Sequence, residues 1–154
     1  MMNKEEKYQL LTEQIRALTQ GETDLVAKMA NVTAAIHEEM GFFWTGFYRV
    51  VGEELILGPF QGPVACMHIP FGRGVCGSAW KQRTTLVVPD VEKFPGHIAC
   101  SSLSRSEIVV PVFSPDGEIV AVLDIDSKEL GTFDEIDRQH LETICALISG
   151  QVTI

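Results

Sequence analysis

Three of the four cysteines, Cys66, Cys76 and Cys100, stand in short polar or glycine-bearing segments with no helical spacing behind them. Cys145 differs: it lies four residues after Leu141 and three before Ile148, in a helix pattern, and reads as core. Residues 1–20 are charged and amphipathic and lack an apolar stretch with a cleavage site, so no export is expected and the cytoplasm is the default location. Thiols there stay reduced, which disfavours a structural disulfide framework. Loop cysteines in such a chain point to metal ligation or to redox chemistry. Cys66 and His68 are close together, yet no C-x-x-C or H-x-x-x-H accompanies them, so a zinc site is not expected. Of the remaining histidines, His97 stands near Cys100 and could tune it, whereas His37 and His140 fall in helix patterns.

Three acids pose a second question. Ser114-Pro115-Asp116-Gly117 separates two strand-like runs and makes a good hairpin turn. If Ser114 faces Gly117, pairing outward sets Glu107 directly across from Asp124. Asp126 then shares that face, about 7 Å from Asp124. Like charges directly opposite one another destabilise a strand pair. Either a bulge shifts the register, or the acids lie at a solvated edge, or something positive sits among them: an ammonium group, a metal ion or a shared proton. Trp44 and Tyr48 alternate on one face of an earlier strand, where core packing is the default. On the acids' face they would form a pocket wall instead.

Gly72-Arg73-Gly74-Val75-Cys76-Gly77 matches the dinucleotide fingerprint letter for letter. Its context argues against a nucleotide: the preceding strand is very short and contains Pro70, and no acid follows at the required distance. A tight turn feeding a short helix is the structural alternative.

Positioning these groups takes a particular series of elements. Leu10, Leu11, Ile15 and Leu18 mark a first helix, with Asn3 and Glu6 as a capping pair. Leu25, Met29, Val32 and Ile36 mark a second, closed by Gly41. Strands are expected over residues 42–51 and 54–60, a loop over 58–63, a short extended piece over 68–71 and a short helix over 75–82. Another strand covers 84–88. Residues 91–105 form a long connection carrying Cys100, and such loops in compact domains are usually functional. Strands over 108–113 and 118–125 follow, then a helix patterned by Ile136, His140, Ile144, Leu147 and Ile148, with Thr132 and Glu135 as its capping box. Hairpins dominate this order, so the expected fold is α+β, a central antiparallel sheet with helices packed against it.

At 154 residues the chain is long enough for one domain with a proper core. No apolar run reaches membrane-spanning length. The net charge of −9, with no local stripe of Lys and Arg, argues against nucleic acid as a partner.

Five stretches, Trp44-Thr-Gly-Phe-Tyr48, Gly72-Arg-Gly-Val-Cys76-Gly, His97-Ile-Ala-Cys100-Ser, Ser106-Glu-Ile-Val-Val-Pro and Leu123-Asp-Ile-Asp-Ser127, together resemble the free methionine-(R)-sulfoxide reductases, a family built on a GAF domain. The likeness covers about residues 22–150, in order, with all three loop cysteines in place. The first helix carries little of the likeness, so the expected organisation is an N-terminal helix over 1–20, read from its spacing, and a single GAF domain over 21–154. The resemblance implies an enzyme that reduces the R epimer of free methionine sulfoxide with no bound cofactor. On that resemblance Cys100 is the attacking thiol, Cys66 the resolving thiol and Cys76 an auxiliary one. Glu107 and Asp126 assist the sulfoxide, Asp124 helps hold the substrate, and Trp44 and Tyr48 line its methyl end. Attack by a thiolate leaves a sulfenic acid, a second thiol turns it into a disulfide, and an external dithiol such as thioredoxin reopens that bond. The alternative is a GAF-type small-molecule or redox sensor without catalysis, for which the chain offers no output domain. The sequence leaves open whether the protein is a homodimer.

Overall fold

The computed structural model describes residues 1–98 and 100–150. Ten main elements follow the expected order: α1 (Lys4–Thr19), α2 (Leu25–Met40), β1 (Trp44–Val51), β2 (Glu54–Gln61), β3 (His68–Pro70), α3 (Gly74–Gln82), β4 (Leu86–Val88), β5 (Ser106–Phe113), β6 (Ile119–Ser127) and α4 (Glu135–Ser149). A 3₁₀ turn, Val91–Lys93, opens the long connection. The six strands form one sheet in the order β3-β2-β1-β6-β5-β4, and every pairing is antiparallel. β2 runs on through Gln61, so the expected loop begins later than its Gly and Pro content suggested.

Both faces of the sheet are covered, which is why β5 and β6 are apolar almost without alternation. Phe47, Ile108, Val110, Leu123 and Ile125 point to one face and pack with α1, α2 and α4. Trp44, Tyr48, Val109 and Val122 point to the other, against Val75 and Ala79 of α3. Cys145 is buried in the first of these layers, as its spacing required.

Helix α1 belongs to that layer through Tyr8, Leu11 and Ile15, while Leu10 and Leu18, which had helped to mark it, are exposed. Its capping box forms: the Asn3 side chain accepts from Glu6 N–H and Glu6 accepts from Asn3 N–H. A polar tie anchors it further. The Tyr8 hydroxyl donates to Asp137 Oδ1 at 2.5 Å, and Lys4 Nζ lies 2.7 Å from Asp137 Oδ2, so a fully buried carboxylate is paired on both oxygens. At α4 the capping box is two residues later than expected, Asp134 with Asp137. Thr132 is occupied elsewhere, donating to Ser127 Oγ and tying the connection to the end of β6.

The β5–β6 hairpin corrects the expected register. Ser114 N–H donates to Glu118 O at 2.7 Å, so Ser114 faces Glu118 rather than Gly117 and the turn is one residue longer. Beyond it Phe113 pairs with Ile119 but Val112 pairs with Ala121, leaving Val120 as a bulge. The two changes together slide β6 by two positions. Glu107 therefore faces Asp126, and Asp124 faces Val109. A slide of two preserves the face of every side chain, so the three acids still share one.

Candidate active site

Strand register builds the floor of a pocket. Val88, Glu107, Asp126 and Trp44 form one row across β4, β5, β6 and β1, and Leu86, Val109, Asp124 and Gly46 form the next. Tyr48 sits two residues beyond Gly46, opposite Val122. All the expected site residues line this one pocket except Cys66, which borders it through the disulfide described below.

The aromatic wall is fixed by its neighbours. Trp44 Nε1 donates to Pro63 O at 2.9 Å, and its ring stacks on Phe60 with centroids 5.3 Å apart. Gly46 is what lets the indole lie flat, since a Cβ there would sit 2.5 Å from the ring. Gly62 does the same on the other side, at φ +132°. A glycine within a strand marks such a close approach, a signal present in the sequence but unused in reading it. The Tyr48 hydroxyl donates to Cys66 O at 2.9 Å and so pins the cysteine's loop above the pocket.

Cys66 and Cys100 are joined by a disulfide, their Cα atoms 5.4 Å apart. It bridges the β2–β3 loop to the long connection before β5, two segments that share no strand pairing. Cys76, in the first turn of α3, stays a free and buried thiol, with Sγ 4.0 Å from Glu107 Oε2. The glycine fingerprint around it is the expected turn: Gly77 N–H bonds back to Arg73 O, and a Cβ on Gly77 would meet Pro70 O at 2.8 Å. His97 Nε2 lies 4.0 Å from Glu107 Oε1, so this histidine stands against the acid cluster as well as near Cys100. His68 instead pairs with Glu54 at 2.9 Å on the exposed side of β3. His140 bonds Glu5 and stacks on Tyr8, far from these groups in the fold. The pocket also takes in Arg73, Ser101 and Ser104, which sequence reasoning did not single out.

Burial sets the electrostatics. Glu107 and Asp124 are each 6% exposed. Desolvation, then the charges of Asp124 and Asp126, hold the Glu107 carboxyl well above the ordinary carboxylate range. Asp126 is pushed well up by desolvation and by Asp124. Asp124 is also raised by burial, but hydrogen bonding from Glu107, Cys76 and Asp126 opposes that shift and favours its charged form. Its Oδ1 has no hydrogen-bond partner among the described residues. Desolvation, then Asp124 and Glu107, pushes the Cys76 thiol well up, so it is a poor thiolate in this state. Burial lowers the His97 pKa against the pull of Asp124, which favours a neutral ring. The pocket thus offers two acids whose proton affinity is raised, one carboxylate oxygen without a partner among the described residues, an aromatic wall and a disulfide at the rim.

Comparison with known proteins agrees with this geometry. The GAF domain family matches residues 21–150. GAF domain-containing protein A of Dictyostelium discoideum is 58% identical over 96% of this chain and 94% of its own length. Free methionine-R-sulfoxide reductase of Escherichia coli is 44% identical over 94% of this chain and 88% of its own. Among solved structures, free methionine-R-sulfoxide reductase of Neisseria meningitidis in complex with its substrate superposes with a TM-score of 0.94 at 50% identity, covering 98% of this chain and 91% of that one. The chain therefore belongs to the free methionine-R-sulfoxide reductases, a family built on the GAF domain.

Proposed function

We propose that this protein reduces free L-methionine (R)-S-oxide to methionine by thiol chemistry, with Cys100 as nucleophile. The observation that carries the reading is the Cys66–Cys100 disulfide at the rim of a pocket holding Glu107, Asp124 and Asp126. Relatives named for this activity, one solved with its substrate, support it.

The substrate's ammonium group pairs with Asp124, whose Oδ1 lacks any other partner among the described residues. The S-methyl group packs on Trp44 and Tyr48. Cys100, as thiolate, attacks the sulfoxide sulfur while Glu107, held protonated by burial and by the Asp124 carboxylate, gives its proton to the oxygen, and Asp126 stands beside it as a second acid. The hydroxyl then shifts from the substrate sulfur to Cys100 Sγ as the new S–S bond breaks, so that methionine leaves reduced and Cys100 is left as a sulfenic acid. Cys66 attacks that sulfur, water departs, and the disulfide forms. An external dithiol of the thioredoxin type then attacks the disulfide and leaves with its own sulfurs joined, returning two thiols. Cys76 is an auxiliary thiol, available if Cys66 is lost. These groups balance the reaction without a bound cofactor. Epimer choice follows from having three separate subsites around one tetrahedral sulfur: exchanging oxygen and methyl would press a polar oxygen on indole and leave Glu107 facing carbon.

The test is turnover coupled to NADPH through thioredoxin and thioredoxin reductase, with each epimer of free methionine sulfoxide. Oxidation of NADPH with the R epimer alone is the expected result. No turnover with either epimer would return the sensing role, with the disulfide as its signal.

A further inference from the structure

Cys76 is the one pocket thiol outside the disulfide, and the catalytic cycle leaves it idle in the oxidised protein. Its Sγ and one oxygen each of Glu107 and Asp124 all lie within 4.8 Å of one another, and all three residues are buried. Around a tetrahedral zinc ion a sulfur and an oxygen ligand stand roughly 3.6 Å apart, from Zn–S and Zn–O bonds of about 2.3 and 2.1 Å. The Cys76–Glu107 separation of 4.0 Å is close to that spacing. Asp124 Oδ1, which has no hydrogen-bond partner among the described residues, adds a second sign that the pocket accepts a positive guest, because a buried carboxylate oxygen is rarely left unpartnered.

We propose that Cys76, Glu107 and Asp124 form a site for a thiophilic divalent cation of the zinc class, which excludes the substrate by taking the place of its ammonium group. A hard cation such as magnesium is a poor fit, because it prefers an all-oxygen octahedron. Binding displaces the protons of Cys76 and Glu107 to solvent, and the resulting thiolate and two carboxylates give zinc three protein ligands of the kinds it binds. The competition with substrate rests on the assignment of Asp124 to the ammonium group, but cation binding itself does not.

The experiment separates the two. The protein is oxidised so that Cys66 and Cys100 are joined, leaving Cys76 and the core residue Cys145 as its thiols. Cadmium, the spectroscopic stand-in for zinc, is titrated in and the ultraviolet thiolate-to-cadmium charge-transfer band is followed. The expected result is one cation per chain, a band that Cys76→Ser abolishes, and zinc affinity weakened about tenfold or more in Asp124→Asn, since even outer partners of a metal count on that scale. Free methionine sulfoxide should displace the cation, and zinc should raise KM in the coupled assay without lowering kcat. No band, or a band that survives in Cys76→Ser, overturns the site. A band that behaves as expected but is untouched by methionine sulfoxide upholds the cation site and counts instead against Asp124 as the ammonium partner.

Discussion

At the level of single residues, the two joined cysteines have unequal parts to play. Cys100→Ser should yield no methionine in a single turnover, since the nucleophile is gone. Cys66→Ser should yield one equivalent and then lose most steady-state turnover with thioredoxin, because the sulfenic acid has no ordinary partner. Rapid-quench measurement of methionine per enzyme decides between them. A full equivalent from Cys100→Ser would sink the assignment, and full steady-state activity of Cys66→Ser would give Cys76 the resolving role. Glu107 carries a second prediction with two readouts. An amide cannot donate the required proton, so Glu107→Gln should lower kcat by about 10²–10⁴-fold. In the unmodified enzyme kcat should fall as pH rises through the ionisation of Glu107, which burial and its acidic neighbours have moved above the usual carboxylate range. Stability runs the same way. A carboxyl whose folded pKa is raised lends stability in full below its unfolded value and loses it as pH rises through the folded one. Glu107→Gln should therefore flatten the fall of melting temperature with pH and melt later than the unmodified protein once pH has risen above the ordinary carboxylate range. A variant that melts earlier, or keeps more than a third of its kcat, would place the working proton elsewhere.

Strand geometry decides whether those residues meet. Trp44 lies flat because Gly46 has no side chain, with Phe60 Cβ only 2.4 Å from where a Cβ would stand. Gly46→Ala should overpack this corner at a cost of about 1–3 kcal/mol. It should also raise KM more than it lowers kcat, because the methyl wall moves while Cys100 and Glu107 do not. Thermal melts and steady-state kinetics check this, and an unchanged melt with unchanged KM would mean that the indole is free to move. The hairpin makes the same point. A turn one residue longer and a bulge at Val120 bring Asp126, not Asp124, opposite Glu107, which leaves Asp124 diagonal to Glu107 and opposite Val109.

For the molecule as a whole, the position of the carboxylates predicts what it refuses. N-acetylated methionine sulfoxide has no ammonium charge, and leaving a buried carboxylate unpaired costs about 3–5 kcal/mol. Part of that is recovered if Asp124 takes up a proton, so kcat/KM should fall on the order of a hundredfold or more. Near-equal values would refute ammonium recognition, and discrimination that persists in Asp124→Asn would assign it to pocket shape. The first helix is tested by deletion. Tyr8, Leu11 and Ile15 are all fully buried in the layer that backs β5 and β6. Burying each contributes roughly 1.5–3 kcal/mol, so losing all three approaches the whole stability of a typical domain. A chain lacking residues 1–20 should lose cooperative melting and bind hydrophobic dye. A folded, active remainder would show that the helix is an appendage.

Much of this was legible in the chain. Helical spacing set α2, α4 and the buried Cys145, and turn residues set the order of all ten elements, because these signals are local and backbone-borne. The separated motifs carried the family. What lay beyond reach came from contacts between distant segments. Leu10 and Leu18 fit a helix pattern equally well whether buried or exposed, and only packing on α4 chose Tyr8, Leu11 and Ile15. Register was misjudged because a bulge is written in no residue type; it is set by how the sheet closes on its helices. The partners of Asp137, the seat of Trp44 between two glycines and the approach of Cys76 and His97 to the three acids depend on pairings across the sheet and on loops folded over it. Sequence determined which chemistry the chain carries, and tertiary structure decided which of those groups share a pocket, since proximity there is a property of the closed sheet and not of any segment within it.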